Sequence, residues 1–592
     1  MSDAIRKAEE FLSRERAFRL GELVTESSHP KTKILSQTAV QDVPAAIRLL
    51  QSVDEDIPPA TKKAFEHDSF TQLVDAFGQA LKTGKRIYFT GCGATGRLSI
   101  LLEAAWRCFW CGNRITDCKS KVESRKSKMS LEDRVYSVMA GGDFALIKSV
   151  EGYEDFPDFG RRQLAERGVG AGDVVVAITE GGETPFVIGT AWEGLDAGAK
   201  VFFVYNNPTD VLRRHVKRSR EVIEEPRITK LDLTTGPMAI TGSTRMQATT
   251  AELLVVGAAL EIALLRSLRE TTSNIHQPAL REPDDYHRLF CKLLEELSRP
   301  EAIDALARAT IFEENIYRQK GLLTYAADSF LLDVLTDTTE RSPTFMLPAF
   351  RRCGDNLSPR SWAFVKDPFR GTQDAWHALL QREPRGLNWE REVYEELNAP
   401  ANLKAQPPKL DNAEIYKFAV GNEPDPSRTD APDSALVAVA SGGEAEHLIR
   451  TALERSGSQY KKTGALVVGS PDTSAGTDEA FCFPCRLADS PLQLWHHLAV
   501  KIVLNTLSTA TMVRMGRVIG NAMVWLSPSN KKLIDRGSRL IAQQAGCTYE
   551  QACIALHEAI EEVGAAQRMG REVPSPVALA IERLTGKSGQ SR

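Results

Sequence analysis

Apolar residues in the first half of the chain gather into short solid runs, set apart by longer stretches with helical spacing. Lys85–Gly91 (KRIYFTG), the run VYSVMAGG, Asp173–Thr179 (DVVVAIT) and the run AKVFFVYNN each read as a buried strand. RLSILLEAAWRCFW, after the first of them, reads as a helix. Strands alternating with helices predict an α/β fold, a doubly wound parallel sheet with helices on both faces.

The pattern then repeats. Val176–Ala191 (VAITEGGETPFVIGTA) aligns without gaps with Val437–Ala452 (VAVASGGEAEHLIRTA). In each copy a strand turns at Gly-Gly, enters a helix, and is followed by another apolar run. The repeat predicts a second α/β domain, opening with Gly321–Ala327 (GLLTYAA). The stretch after that strand, DSFLLDVL, lacks the glycines of the corresponding first-domain stretch, Phe89–Ala104 (FTGCGATGRLSILLEA). A long helix (STRMQATTAELLVVGAALEIALLRSLRE) and a polar break (TTSNIHQPALREPDDYH) separate the two domains. From about Pro491 the chain reads as helical to its end. The expected division is therefore 1–45, an N-terminal arm; 46–285, a first α/β domain; 286–500, a second, diverged one; and 501–592, a helical lid. NAPANLKAQPPKLDNAEIYK reads as a surface connection within the second domain, and the tail TGKSGQSR as disordered.

Composition narrows the function classes. At 592 residues the chain is too long for one core. Hydrophobic residues at 42% and charged residues at 26% are ordinary for a globular protein. A net charge of -4 gives no excess to attract phosphate backbones, so nucleic acid is not an expected partner. The charged start MSDAIRKAEEF has no apolar signal core, and no apolar run is expected to approach the ~18 residues that span a bilayer. A cytoplasmic location follows as the expectation, with a nuclear one left open and no membrane partner. Of ten cysteines, Cys108/Cys111 and Cys482/Cys485 have zinc-like spacing. Both pairs sit among aromatic residues, far apart in sequence, and core or loop thiols are the expected reading. No metal site and no cofactor are expected.

Three turns carry the candidate chemistry. Gly91–Gly96 lies between a strand and a helix, where backbone N–H groups bind anions, with Thr95 adding a hydroxyl. Thr179–Pro185 (TEGGETP) is a second strand-to-helix turn. Thr241–Met246 (TGSTRM) precedes a long helix and offers Ser243 and Thr244. Hydroxyl- and glycine-rich turns at the carboxyl ends of strands describe a ligand crevice suited to a phosphate on a neutral polyol.

TGCGATGRLS, MAGGDFALIKSVEGYED, VVVAITEGGETPFVIG and TGPMAITGSTRMQATTAELL together resemble the sugar isomerase (SIS) domain of two related families. These are the N-acetylmuramic acid 6-phosphate etherases and the glucokinase regulatory proteins. LVTESSHPKTKILSQT resembles their N-terminal arm, and Lys501–Arg536 their helical C-terminal part. The etherases resemble half of this chain and work as homodimers. The regulatory type carries two SIS domains and a helical lid in one chain, and is the closer likeness in architecture. It implies a monomer with an internal pseudo-dimer, a sugar-phosphate ligand and a hexokinase-type protein partner.

The resemblance also implies site residues. Glu154 matches the family glutamate of a Glu-Gly-x-Glu-Asp segment. At the other family glutamate the first domain has Ala105; Glu103 lies nearby and should face elsewhere on the helix. In the second domain Glu340 (TTERSPTF) takes that place and is expected to reach into the first domain's pocket. Lys501 matches a lid lysine that contacts the sugar phosphate. The proposed catalytic pair is Glu154 and Glu340. The substrate-binding set is Gly91, Gly93, Thr95, Thr179, Gly181, Thr184, Ser243, Thr244 and Lys501. Etherase elimination removes a proton next to a carbonyl and protonates the departing ether oxygen, which two carboxylates can share. Asp155 reads as a solvated charge, Glu183 as solvent-facing, and His29, His496 and His497 as structural or exposed. The candidate functions are a sugar-phosphate-responsive regulator first, then an etherase-type lyase or a phosphosugar isomerase.

Overall fold

The computed structural model describes residues 3–117, 130–150, 152–271, 281–469, 476–568 and 574–586. It holds two five-stranded parallel sheets. The first is built from β1 (Ile87–Gly91), β2 (Val135–Met139), β3 (Val174–Ile178), β4 (Lys200–Tyr205) and β5 (Ile228–Asp232), in the order β2-β1-β3-β4-β5. The second is built from β6 (Leu323–Ala326), β7 (Ala363–Lys366), β8 (Ala435–Ser441), β9 (Lys462–Val468) and β10 (Glu479–Phe483), in the order β7-β6-β8-β9-β10. The two orders are the same, so the internal repeat extends to the whole topology. Every residue of β1, β3 and β8 is buried. Helices cover both faces, which is why these strands read as solid apolar runs rather than as alternation.

The apolar pattern passed over β5, β7 and β10, all edge strands. β5 (ITKLD) and β10 (EAFCF) are only partly buried, and β7 (AFVK) is four residues long.

The helix Gln247–Thr271 corrects the membrane expectation. Its segment Gln247–Arg269 is long and apolar enough to cross a membrane, with a mean hydropathy of 1.8, but its most apolar stretch is wholly buried in the fold and only the last turn, with Arg266 and Arg269, reaches the surface. It packs against the helices Asp68–Thr83 and Leu494–Arg514. A helix apolar on all sides is here a core helix.

The helix Leu494–Arg514 is buried along most of its length, and also packs against Pro300–Arg318 and Leu331–Phe345. The expected boundary at 500/501 therefore falls within a central helix. Those at 45/46 and 285/286 fall within the helices Val43–Asp54 and Pro283–Leu297. Nor is the chain helical throughout after Pro491. Residues 515–530 run as an irregular, bridged segment, with Thr241 beside Ala522. Only then come the helices Lys531–Ala545, Tyr549–Arg568 and Pro576–Thr585, which pack on one another and on Asp3–Arg14. Residues 587–592 of the tail, and most of the polar break before Pro283, lie outside the described residues.

The proline-rich connection is more than a surface loop. Leu403, Leu410 and Ile415 are buried. Just upstream, Trp389 and Tyr394 stack among Tyr153 and Phe159 of the first domain. Arg382 and Arg385 reach the buried Glu103 at 3.1 and 2.8 Å, and Arg382 also holds Asp143 at 2.5 Å. Glu103 does face away from the candidate crevice, as its helical position requires. Cys108 and Cys111 sit on the helix Gly93–Asp117, Cys482 on β10 and Cys485 just beyond it. Among the described residues no group of three or more His, Cys, Asp or Glu is arranged to hold a metal ion.

Candidate functional site

A cavity of about 210 Å³ opens at the carboxyl ends of the first sheet's strands. Its floor is the start of the helix Gly93–Asp117, through Gly93, Ala94 and Arg97. The first N–H groups of a helix have no partner within it, so this end favours an anion. One wall is the 242–245 loop with Ser243 and Thr244; another is the turn bearing Glu180 and Thr184. Glu154 enters from the segment after β2. Glu340, Pro343 and Thr344 enter from the second domain's helix Leu331–Phe345. Asn530, Lys532 and Arg536, from the C-terminal part, close the remaining side.

The glycine-rich loop is tightly built. A Cβ on Gly91 would lie 2.5–2.6 Å from the backbone of Thr95 and Gly96. Gly93 has φ +53° with open space beside it and borders the cavity. The Thr95 hydroxyl is buried, donates to the Cys92 carbonyl at 2.9 Å and accepts from the Cys92 N–H at 3.1 Å. It shapes the loop and does not border the cavity.

Of the expected residues, Glu154, Glu340, Gly93, Thr184, Ser243 and Thr244 meet in this cavity. Gly91, Thr95, Thr179 and Gly181 stand behind it. Thr179 is fully buried, 3.0 Å from the Thr184 hydroxyl, and so orients it. Lys501 is not a lid residue and does not border the cavity. Its ammonium donates to the carbonyls of Arg245 and Met246, to Thr250 Oγ1 and to Asn505 Oδ1, at 2.9–3.2 Å. It supports the 241–246 loop from below. Burial lowers its pKa to about 8, against the opposing pull of Glu340 and Asp54.

The two family-type acids sit in different settings. Glu154 is half-buried, and the Asn530 side-chain amide donates to its Oε1. Glu340 is buried, and burial pushes its carboxyl up to about 7 despite Arg97, Arg245 and Lys501 nearby. A third acid, Glu180, was not anticipated. Burial raises its pKa, while Lys532 and the Thr244 hydroxyl oppose the shift. Beneath it Glu252 is fully buried, raised well above the ordinary range by burial and then by Glu180; it accepts from Asn206 Nδ2 at 3.1 Å.

Glu183 does not face solvent. It is 1% exposed and ion-paired to Arg218 and Lys532, at 2.5 and 2.7 Å. Burial opposes its ionisation, but the two cations hold its pKa down at about 2. A fixed lysine thus shields the turn from the negative charge that would have repelled a phosphate. Asp155 is half-buried rather than solvated, and burial raises it to about 6. His29 and His497 have partner acids, Asp56 at 2.8 Å and Asp333 at 3.0 Å, and His496 lies 2.8 Å from the Ser441 hydroxyl. All three are structural.

Ala105 faces a second cavity, of about 360 Å³, at the corresponding end of the second sheet. There Asp328 occupies the turn where the first domain has glycines, and Arg370 ties it to Asp367 at 2.6 and 2.8 Å.

Sequence reasoning missed Arg97, Arg245, Glu180, Asn530, Lys532 and Arg536. Arg97 lay inside the family-like stretch TGCGATGRLS. The run SPSNKK held a helix-start signal: Asn530 caps the helix Lys531–Ala545, accepting from the Leu533 N–H at 2.9 Å. The cap aims Asn530 and Lys532 at the cavity.

A family model described as the glucokinase regulatory protein N-terminal SIS domain matches residues 70–193. An N-acetylmuramic acid 6-phosphate etherase of Gloeobacter violaceus is 30% identical over 285 residues, covering 48% of this chain and 82% of its own length. That of a Synechococcus species is 27% identical over 340 residues, covering 57% and 95%. That of Clostridium acetobutylicum is 30% identical over 237 residues, covering 40% and 67%. The solved C-terminal domain of glucosamine-fructose-6-phosphate aminotransferase from Francisella tularensis aligns with 80% of this chain at a TM-score of 0.44 and 10% identity, covering 97% of that chain. With a fold of paired parallel sheets, a crevice at their carboxyl ends and relatives at this level of identity, the chain belongs to the SIS-domain family of the N-acetylmuramic acid 6-phosphate etherases.

Proposed function

We propose that the cavity binds a sugar phosphate and that the chain is an etherase-type carbon–oxygen lyase acting on an N-acetylmuramic acid 6-phosphate-like substrate. The observation that carries this reading is the pair of glutamates, Glu154 from one domain and Glu340 from the other, lining one cavity in contrasting environments. The elimination needs a base to take the C2 proton next to the C1 carbonyl of the open-chain sugar. It also needs an acid to give a proton to the C3 ether oxygen as that C–O bond breaks and lactate leaves. Glu154, its carboxylate braced by Asn530, suits the base. Glu340, held protonated up to about pH 7, suits the acid. The helix start at Gly93, with Ser243 and Thr244, suits the phosphate.

A second reading is a phosphosugar-responsive regulator with a hexokinase-type partner. It is favoured by the match to the regulatory-protein domain over residues 70–193 and by two sheets in a single chain. One experiment separates the two. Incubation with N-acetylmuramic acid 6-phosphate, followed by a lactate assay, is run beside thermal shifts with fructose 6-phosphate and fructose 1-phosphate. Lactate release supports the lyase. Stabilisation by either fructose phosphate, with no lactate formed, supports the regulator. Interconversion of aldose and ketose phosphates without lactate would point to an isomerase instead.

A further inference from the structure

Three of the cations that border the cavity are already committed to carboxylates. Arg245 faces Asp337 at 3.2 Å, Lys532 faces Glu183 at 2.7 Å, and Arg536 faces Glu26 at 2.6 Å. Arg97 is different. It stands one turn into the helix Gly93–Asp117 and is 2% exposed. Its Nη2 donates to the Ala145 carbonyl at 3.0 Å, and its Nε has no partner. Among the described residues no carboxylate lies within 4 Å of it. The one acid whose field reaches it is Glu340. A buried guanidinium without a counter-charge is unfavourable, and its planar fork fits a carboxylate with two parallel hydrogen bonds. Arg97 therefore borders the cavity as a guanidinium with no ion-pair partner among the described residues, under the influence of Glu340 alone among the acids.

Chemistry links that position to the reaction. The lactyl carboxylate is joined to the carbon that bears the ether oxygen. A group that holds the carboxylate must therefore sit beside the acid that protonates that oxygen. We propose that Arg97 is the specificity-determining residue for a substrate carboxylate, and that it holds the lactyl arm while Glu340 protonates the ether oxygen. The inference rests on the lyase reading. It makes the site one for doubly anionic sugars, with phosphate at the Gly93 and Ser243–Thr244 end and carboxylate at Arg97. It also gives Arg97 a role that a fructose phosphate, which has no carboxylate, cannot use.

The test is calorimetric binding to the full-length chain carrying Glu154→Gln, which blocks turnover. Three ligands are compared: N-acetylmuramic acid 6-phosphate, its lactyl carboxamide, and N-acetylglucosamine 6-phosphate. With Arg97 in place, the acid is expected to bind about 10-fold or more tighter than the carboxamide. Adding Arg97→Met should abolish that preference while changing the affinity for N-acetylglucosamine 6-phosphate by less than about 3-fold. Equal binding of acid and carboxamide with Arg97 present overturns the proposal, and needs no arginine variant to fold. A loss for N-acetylglucosamine 6-phosphate as large as that for the muramic sugar overturns it too, because Arg97 would then be a phosphate ligand. If none of the three binds, the phosphosugar reading fails and the subsite falls with it. If the acid is preferred through Arg97 but the wild type releases no lactate, the subsite stands and only the lyase reading is lost.

Discussion

Replacing Glu26 by Gln should loosen the C-terminal cover of the site. Glu26 lies in the N-terminal arm and is 4% exposed. It accepts from Arg536 Nε at 2.9 Å, from Arg536 Nη2 at 2.6 Å and from Arg539 Nη2 at 2.8 Å. Burial opposes its ionisation, but the two guanidinium groups hold it well below the usual carboxylate range. Arg536 is pressed against the 241–246 loop, where a Cβ on Gly242 would lie 2.4 Å from its Nε. Removing one partner of a buried pair costs about 3–5 kcal/mol. Arg539 keeps Asp535 at 2.9 Å, so the low end, about 3 kcal/mol, applies here. Hydrogen exchange reads this locally: amides of the helix Lys531–Ala545 should exchange on the order of 100-fold faster, with β1 and β3 unchanged. The sign with pH follows from the depressed pKa. The protection is fully present above the ordinary glutamate pKa, and is lost as pH falls below it. The reasoning is refuted if exchange in this helix is unchanged, or if β1 and β3 accelerate equally.

Other consequences can be checked separately. Lactate release should fall as pH rises through about 7, because Glu340 must be protonated to act as the acid; a rate flat from pH 6 to 8.5 contradicts that role. Gly91→Ala forces a Cβ to 2.5–2.6 Å from backbone atoms, so a melting scan should show both lower stability and no stabilisation by a sugar phosphate. Glu183→Gln strands Lys532 and Arg218. The wild type's stability margin over this variant should be full above about pH 4.5 and vanish as pH falls toward 2; a margin persisting at pH 2 contradicts the ion-pair account. Arg382→Met leaves Asp143 without its cation, while Glu103 keeps Arg107 and Arg385. Denaturant unfolding should show a loss of about 3 kcal/mol, and none at all would mean the network carries no stability.

How much of this was legible in the sequence differs by layer. Central strands were visible because burial on both faces leaves an unbroken apolar run, as in VVVAI of β3. The edge strand ITKLD of β5 carries a mixed signal, because three of its five residues are only partly buried. The long helix Gln247–Thr271 was recognised as a helix, but its burial all round was not anticipated. The glycine-rich turn was readable from local spacing alone, whereas Glu154 was marked by the family segment EGYED that contains it. Glu340 was readable only through the family resemblance, since nothing local says that a helix of the second domain enters the first domain's crevice. Lys501 was misplaced for a related reason: a lysine inside an apolar helix does not reveal which neighbouring turn receives its hydrogen bonds. Glu183 and Lys532 neutralise each other across 349 residues of sequence, a pairing with no local trace. Arg97 sat in plain view, but what marks it is the absence of a partner, which only the folded chain displays.

The central claim is that two glutamates from separate domains share one reaction, Glu154 as base and Glu340 as acid. It is tested most directly by following N-acetylmuramic acid 6-phosphate by proton NMR in deuterated water with the wild type, Glu154→Gln and Glu340→Gln. The account predicts lactate release for the wild type, and deuterium at C2 of the product once solvent water has added across the C2=C3 bond that the elimination leaves, its oxygen going to C3. It predicts exchange of the C2 proton without lactate for Glu340→Gln, and neither for Glu154→Gln. Undiminished lactate release by either variant, or no C2 exchange and no lactate from the wild type, would contradict it.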